Sequence, residues 1–220
     1  MTDKSNEVVI VSAIRTPIGS YKGSLKDISS HQLGSIVIKE VLKKSKFAKD
    51  EIDEVIFGQV LTAGVGQNPA RQAAINAGIP ISKPAHVINQ VCGSGLRAVI
   101  SGYQSIKLGD SLNVISGGQE NMSIAPHSIF FRDQKKISED KLLDTMINDG
   151  LIDAFNNYHM GVTAENIAKK FNISRQEQDE FALSSQKKTK TAILENKFND
   201  EIIKINNKGN IFDRDEHPRT

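Results

Sequence analysis

Apolar residues recur along this chain with two periods. Val8 to Ala13 is apolar almost throughout and reads as a fully buried strand. Leu33, Ile36, Val37, Val41 and Leu42 then recur at helical spacing. Val55, Ile56, Phe57 and Val60 predict a second strand. Pro69, after Asn68, suits the first position of a helix that stops at Gly78 and Pro80. Val87, Ile88 and Val91 arrive like a strand. Leu96, Val99, Ile100, Tyr103 and Ile106 follow on one face of a helix ending at Gly109. Leu112 to Ile115 predicts a further strand, closed by Gly117 and Gly118. Strands alternating with helices predict an α/β fold on a parallel sheet. In such sheets functional groups gather at the carboxyl ends of the strands. Cys92 and the segment Gly117 to Asn121 both fall there.

The pattern changes after about residue 120. Glycines thin out, charged and amide residues increase, and no strong buried strand returns until Ile202 to Ile205. Ser174 and Glu177 form a capping box that opens a long polar helix through about Asn196. Lys187, Lys188 and Lys190 read as its solvated face. Residues 1–119 therefore read as one α/β unit, and residues 120–220 as a mostly helical insertion over the sheet.

Composition narrows the function classes. A length of 220 residues suits one large domain, or one domain plus an elaboration. The formal charge of +2 gives no strong field for nucleic acid or an anionic membrane. The apolar run from Val8 to Ile14, interrupted by Ser12, is too short for a signal peptide or a membrane span. A single cysteine excludes an intrachain disulfide and suits a reducing, cytoplasmic compartment. His31, His86, His127 and His217 show no metal-ligand spacing, so no metal is expected. The glycines at 64, 66, 117 and 118 make neither a dinucleotide nor a P-loop fingerprint.

The candidate chemistry centres on Cys92, in Asn89-Gln90-Val91-Cys92-Gly93-Ser94-Gly95. A thiol at a strand-to-helix turn lies at a helix N-terminus, where the dipole and free N–H groups favour thiolate. The other reading is a buried cysteine acting as a small hydrophobe. Such a packing cysteine has no need of the flanking glycines, which permit a tight turn and close backbone approach. His159, in Tyr158-His159-Met160-Gly161, could wall a pocket or move a proton. Taken alone it fits a structural or surface histidine better. Asp215-Glu216-His217-Pro218-Arg219 reads as an exposed charged turn.

Seven segments, spread along the chain and in order, carry a resemblance. They are RTPIG (Arg15 to Gly19), GQNPARQAA (Gly66 to Ala74), NQVCGSGLRAV (Asn89 to Val99) and GGQENMS (Gly117 to Ser123). YHMGVTAEN (Tyr158 to Asn166), SRQEQDEFA (Ser174 to Ala182) and DEHPR (Asp215 to Arg219) complete the set. Together they resemble the N-terminal portion of the thiolase family, most like its members that handle acetyl groups. The resemblance implies the first half of a layered βαβαβ fold, with an inserted, mostly helical loop domain. It implies that Cys92 carries the acyl group as a thioester. It implies that His159 and Met160 wall a coenzyme A and acyl pocket, with Leu151 and Arg219 near the pantetheine and nucleotide.

The implied reaction condenses two acetyl-CoA to acetoacetyl-CoA, and runs in reverse as thiolysis. Coenzyme A thioesters are its substrates and no separate cofactor is implied. Nearby alternatives are a longer-chain 3-ketoacyl-CoA thiolase, a ketosynthase-like enzyme of the same fold, or a non-catalytic assembly subunit. The family runs to roughly twice this length, consistent with two domain-sized halves. Its second half brings Asn-Glu-Ala-Phe, Gly-His-Pro and Cys-x-Gly segments, which these residues lack; the resemblance implies that their histidine activates the nucleophile and their cysteine is the acid–base. The expectation is little turnover by the 220 residues alone and a homotetramer for the complete enzyme. A companion chain supplying the second half is a further possibility. A sheet-flanking helix left uncovered should then present an apolar patch to solvent.

Overall fold

The computed structural model describes residues 7–132 and 141–219. Three parallel strands form the main sheet: β1 (Glu54–Gly58), β2 (Ala85–Ile88) and β3 (Val114–Gly118), in the order β2-β1-β3. Val55 is paired with Ala85 on one side and Ile115 on the other. The chain steps outward from β1 to β2 through helix α2 (Pro69–Ala77), then back across β1 to β3 through helix α3 (Ser94–Leu108). Right-handed crossovers in opposite directions place the two helices on opposite faces of the sheet.

Helix α1 (Ser30–Ser45) starts on a capping box in which Ser29 and Gln32 exchange side-chain and backbone bonds. It packs on α2, and both cover one face of the sheet. The core there joins Ile38 and Leu42 of α1, the alanines 70, 73, 74 and 77 of α2, and Val55, Phe57 and Ile115 of the sheet. Small residues on α2 let the layers approach closely. Asn68 caps α2 through Oδ1 and ties it to β2 by donating from Nδ2 to the Ala85 carbonyl at 2.8 Å.

The other face carries α3, and here the sequence pattern needs reading differently. Its buried residues are Ser94, Ala98 and Gly102. The apolar stripe faces solvent, with Leu96 69% and Tyr103 50% exposed. A Cβ on Gly102 would run into the Ser116 hydroxyl, so the helix packs closely on the side chains of β3. The uncovered patch expected on this helix is present.

Val8 to Ala13 is not a buried strand. It joins no sheet, and Val9, Ile10 and Val11 are 65, 80 and 61% exposed. An apolar run is buried only when a layer covers it, and here Val8 and Ser12 are half-buried while the residues between them stay exposed. Only Arg15, just beyond the run, bridges to Ile202.

After β3 come a short ribbon, β4 (His127–Ser128) with β5 (Leu143–Asp144), and helices α4 (Thr145–Gly150), α5 (Met160–Phe171) and α6 (Arg175–Leu194). α6 begins on the Ser174–Glu177 capping box. Neither α5 nor α6 buries a residue. A last ribbon, β6 (Ile205–Asn207) with β7 (Asn210–Phe212), packs Ile205 and Phe212 against Leu25 and Leu33. Asp215-Glu216-His217-Pro218-Arg219 is more than an exposed turn. Asp215 takes both terminal nitrogens of Arg15, at 2.7 and 3.0 Å, and Glu216 accepts from Ser20 N at 2.8 Å.

Candidate active site

The site is built where the parallel strands end. Gly58 of β1 and Gly118 of β3 are register partners. The Gly58 carbonyl accepts from Gln119 N at 3.0 Å, and the Ile88 carbonyl accepts from Gln59 N at 3.1 Å. Beneath them Gln119 Nε2 donates to Gln59 Oε1 at 2.8 Å, a buried amide pair that fixes the spacing of the two strand ends. A Cβ on Gly58 would lie 2.4 Å from the Ser94 carbonyl carbon and 2.6 Å from Gly95 N. Glycine is required there for β1 to pass under the turn that carries Cys92.

That turn is strained in one residue. Val91 has φ of 48°, in the left-handed region that a β-branched side chain seldom occupies. Its N–H donates to Asn89 Oδ1 at 3.0 Å. The buried Ser94 hydroxyl accepts from Gln90 N at 2.9 Å and donates to the Val91 carbonyl at 2.6 Å. Backbone bonds from Gly93 N to the Gln90 carbonyl and from Ser94 N to the Val91 carbonyl, each 3.1 Å, close the turn. The glycines do not take the unusual dihedral: Gly93 has φ of −85° and serves as the N-cap of α3. Cys92 stands one residue ahead of that cap and is exposed.

Beside the turn lies Glu120, which follows Gln119 at the end of β3. Its Oε2 accepts from Val60 N at 2.8 Å and Leu61 N at 3.2 Å. Burial pushes its carboxyl up, against the pull of the backbone N–H groups of Val60, Leu61 and Asn121. Asn89 and Ser94 lie in the segment NQVCGSGLRAV and Glu120 in GGQENMS, but neither segment states their hydrogen-bonding roles. Short polar side chains close to a turn are the signal for the roles of the first two.

The other expected site residues fall in the later segment. Leu151 closes α4, and its carbonyl accepts from Met160 N at 2.8 Å. Ile152 and His159 form a bridge between them. The fold thus brings Leu151, His159 and Met160 together at the neck of one loop. His159 Nδ1 accepts from Gly161 N at 3.0 Å, which makes the imidazole the N-cap of α5. Accepting at Nδ1 requires the ring hydrogen on Nε2. Arg219 is tied to α6, its backbone N–H donating to Gln186 Oε1 at 2.8 Å. Among the described residues no hydrogen bond links Cys92 to Leu151, His159, Met160 or Arg219. Among the same residues no helix is long and apolar enough to cross a membrane, and no group of His, Cys, Asp and Glu is arranged to hold a metal.

The family model of the thiolase N-terminal domain matches residues 8–220. The chain belongs to the thiolase family. Among its thiolase relatives, acetyl-CoA acetyltransferase of Paracoccus denitrificans is 52% identical over 217 residues, covering 97% of this chain and 56% of the relative. Cytosolic acetyl-CoA acetyltransferase of Rattus norvegicus is 52% identical over 205 residues, covering 93% and 52%. A probable acetyl-CoA acetyltransferase of Escherichia coli K12 is 50% identical over 219 residues, covering 97% and 56%. The chain therefore spans about half the length of these curated relatives.

Proposed function

We propose that these residues form the acyl-accepting half of an acetyl-CoA acetyltransferase, with Cys92 as the nucleophile. The observation that carries this reading is the exposed lone thiol on a strained turn above the parallel strand ends. It sits in a chain about half of whose residues are identical to enzymes of that name. Cys92 Sγ, as thiolate, adds to the thioester carbonyl of acetyl-CoA. The bond from that carbon to the coenzyme A sulfur breaks, and the leaving thiolate takes up a proton. One thioester replaces another, so no oxidant or reductant is needed. A base then removes the α-proton of a second acetyl-CoA, and the resulting carbon attacks the acetyl group on Cys92. The Cys92 thiolate is released with acetoacetyl-CoA.

Leu151, His159, Met160 and Arg219 wall the coenzyme A and acyl pocket in this reading. The backbone bond between Leu151 and Met160 supports it by holding three of the four residues close together. Residues 1–119 are the catalytic unit and 120–220 the loop domain. Cys92 is the only thiol in these residues. The histidine and second cysteine that the resemblance assigns to proton transfer come from a continuation of the chain or from a companion chain. The complete enzyme is a cytoplasmic homotetramer.

The test is the intact mass of the 220-residue protein after incubation with acetyl-CoA, beside Cys92→Ser. One acetyl adduct, absent in the variant, is expected. Acetylation of the Cys92→Ser protein to the same extent would remove Cys92 from the role.

A further inference from the structure

Val91 adopts a conformation that costs free energy for a branched side chain, so its neighbours must hold it there. Backbone bonds from Gly93 N to the Gln90 carbonyl and from Ser94 N to the Val91 carbonyl share in this, and two side chains add to them. Asn89 secures the Val91 N–H from one side. Ser94 secures both flanks at once, accepting from Gln90 N and donating to the Val91 carbonyl. The peptide fixed by that second bond is the one joining Val91 to Cys92. Its orientation sets the direction in which Cys92 leaves the turn, and hence where Sγ stands relative to the amino end of α3. Ser94 is itself pinned from below, since Gly58 brings β1 against its carbonyl carbon.

We propose that Ser94 is the positioning residue for Cys92: its hydroxyl locks the left-handed Val91 peptide so that the thiolate is presented beside the first N–H groups of α3. This rests on the reading of Cys92 as the nucleophile. The Ser94 hydroxyl bonds to Gln90 N and the Val91 carbonyl, and it acts on the sulfur through the Val91 peptide.

The experiment compares alkylation of Cys92 by iodoacetate and by iodoacetamide in the full 220-residue chain, whose single thiol makes the modification unambiguous. Both reagents meet the same thiolate, so its ionisation cancels from the ratio of their rates. Only the anionic reagent gains from the positive end of α3, so the ratio reports where the sulfur stands. Ser94→Ala should lower the iodoacetate-to-iodoacetamide ratio about twofold to fivefold, the range set by a charge near a helix end. Val91→Gly with Ser94→Ala, compared with Val91→Gly alone, covers a Ser94→Ala chain that does not fold, because glycine takes the left-handed dihedral without strain. Ser94→Ala decides where it folds, and the Val91→Gly pair decides only where it does not. A lowered ratio in the deciding pair supports the assignment, and an unchanged one overturns it and leaves Ser94 a packing residue. The acetyl-CoA mass measurement on the unmodified chain is independent. Absent acetylation with a shifted ratio counts against the proposed function alone. Acetylation with an unshifted ratio counts against Ser94 alone.

Discussion

At the scale of single residues, the nucleophile and its supports differ in how openly they announce themselves. Cys92 stands alone in composition and between two clear periodic signals, so its place at a strand-to-helix turn was legible. Asn89 and Ser94 were not, because their value lies in which backbone groups a particular turn leaves within reach. Glu120 fell within the segment expected at the strand ends, but its role was not legible, because its partner Val60 is 60 positions away in sequence. His159 shows a dual use that no motif states. Whatever ligand it meets through Nε2, its Nδ1 caps α5. His159→Ala should therefore cost about 1 kcal/mol of local helix stability, and His159→Asn, whose short side chain also caps, should cost little. Hydrogen exchange at the first-turn amides of α5 reads this directly. Protection should fall roughly fivefold in the alanine variant, by the conversion of 1.4 kcal/mol per tenfold, and stay near the original in the asparagine variant. Equal protection in all three proteins would mean that the imidazole is not the cap.

At the scale of elements, periodicity identified α1, α2, α3 and the three sheet strands, but it could not say which side of a helix touches the sheet. In α3 the most hydrophobic stripe is the uncovered one, and the contact is made by Ser94, Ala98 and Gly102. Close approach of helix to sheet selects for small side chains, which a hydrophobic pattern undervalues. Val8 to Ala13 failed as a buried strand for a related reason. Pattern records which residues need cover, while burial depends on whether a covering layer is there. The two faces of α3 should respond oppositely to substitution. Ala98→Leu forces extra volume against the sheet and should destabilise the chain by about 1–3 kcal/mol. Leu96→Glu removes exposed apolar surface and should change stability by less than about 0.5 kcal/mol while reducing self-association. Urea unfolding with sedimentation velocity separates the two effects. A Leu96→Glu protein as unstable as Ala98→Leu would mean that the stripe is packed.

At the scale of the whole molecule, the two extremes of the described chain are fastened by charge. Arg15 holds Asp215 through two nitrogens, reaches Glu201 at 2.6 Å and lies over the Phe198 ring at 5.3 Å. Glu216 gathers the backbone of Ser20 and Ser24 in the same corner. Burial opposes the charge on Asp215, yet the Arg15 guanidinium and the Ile18 N–H outweigh it and hold the carboxyl below its ordinary range. Glu216 is likewise held down, its burial outweighed by the Ser24 hydroxyl and the Ser20 and Ser24 N–H groups. Both carboxylates are thus more acidic folded than unfolded. Their contribution is complete above the unfolded values, about 3.9 for Asp and 4.3 for Glu, and is lost as pH falls through the lower folded values. Asp215→Asn should lower unfolding free energy by about 1–2 kcal/mol at pH 7, a figure held down because Arg15 keeps Glu201 and partial access to water. As pH drops below about 4 the original chain should lose this advantage and the two proteins should converge. Urea unfolding of both proteins at pH 7 and pH 3 makes the comparison. A constant gap between them would show that the charge of Asp215 is not what fastens the corner, and would leave its hydrogen bonds as the cause.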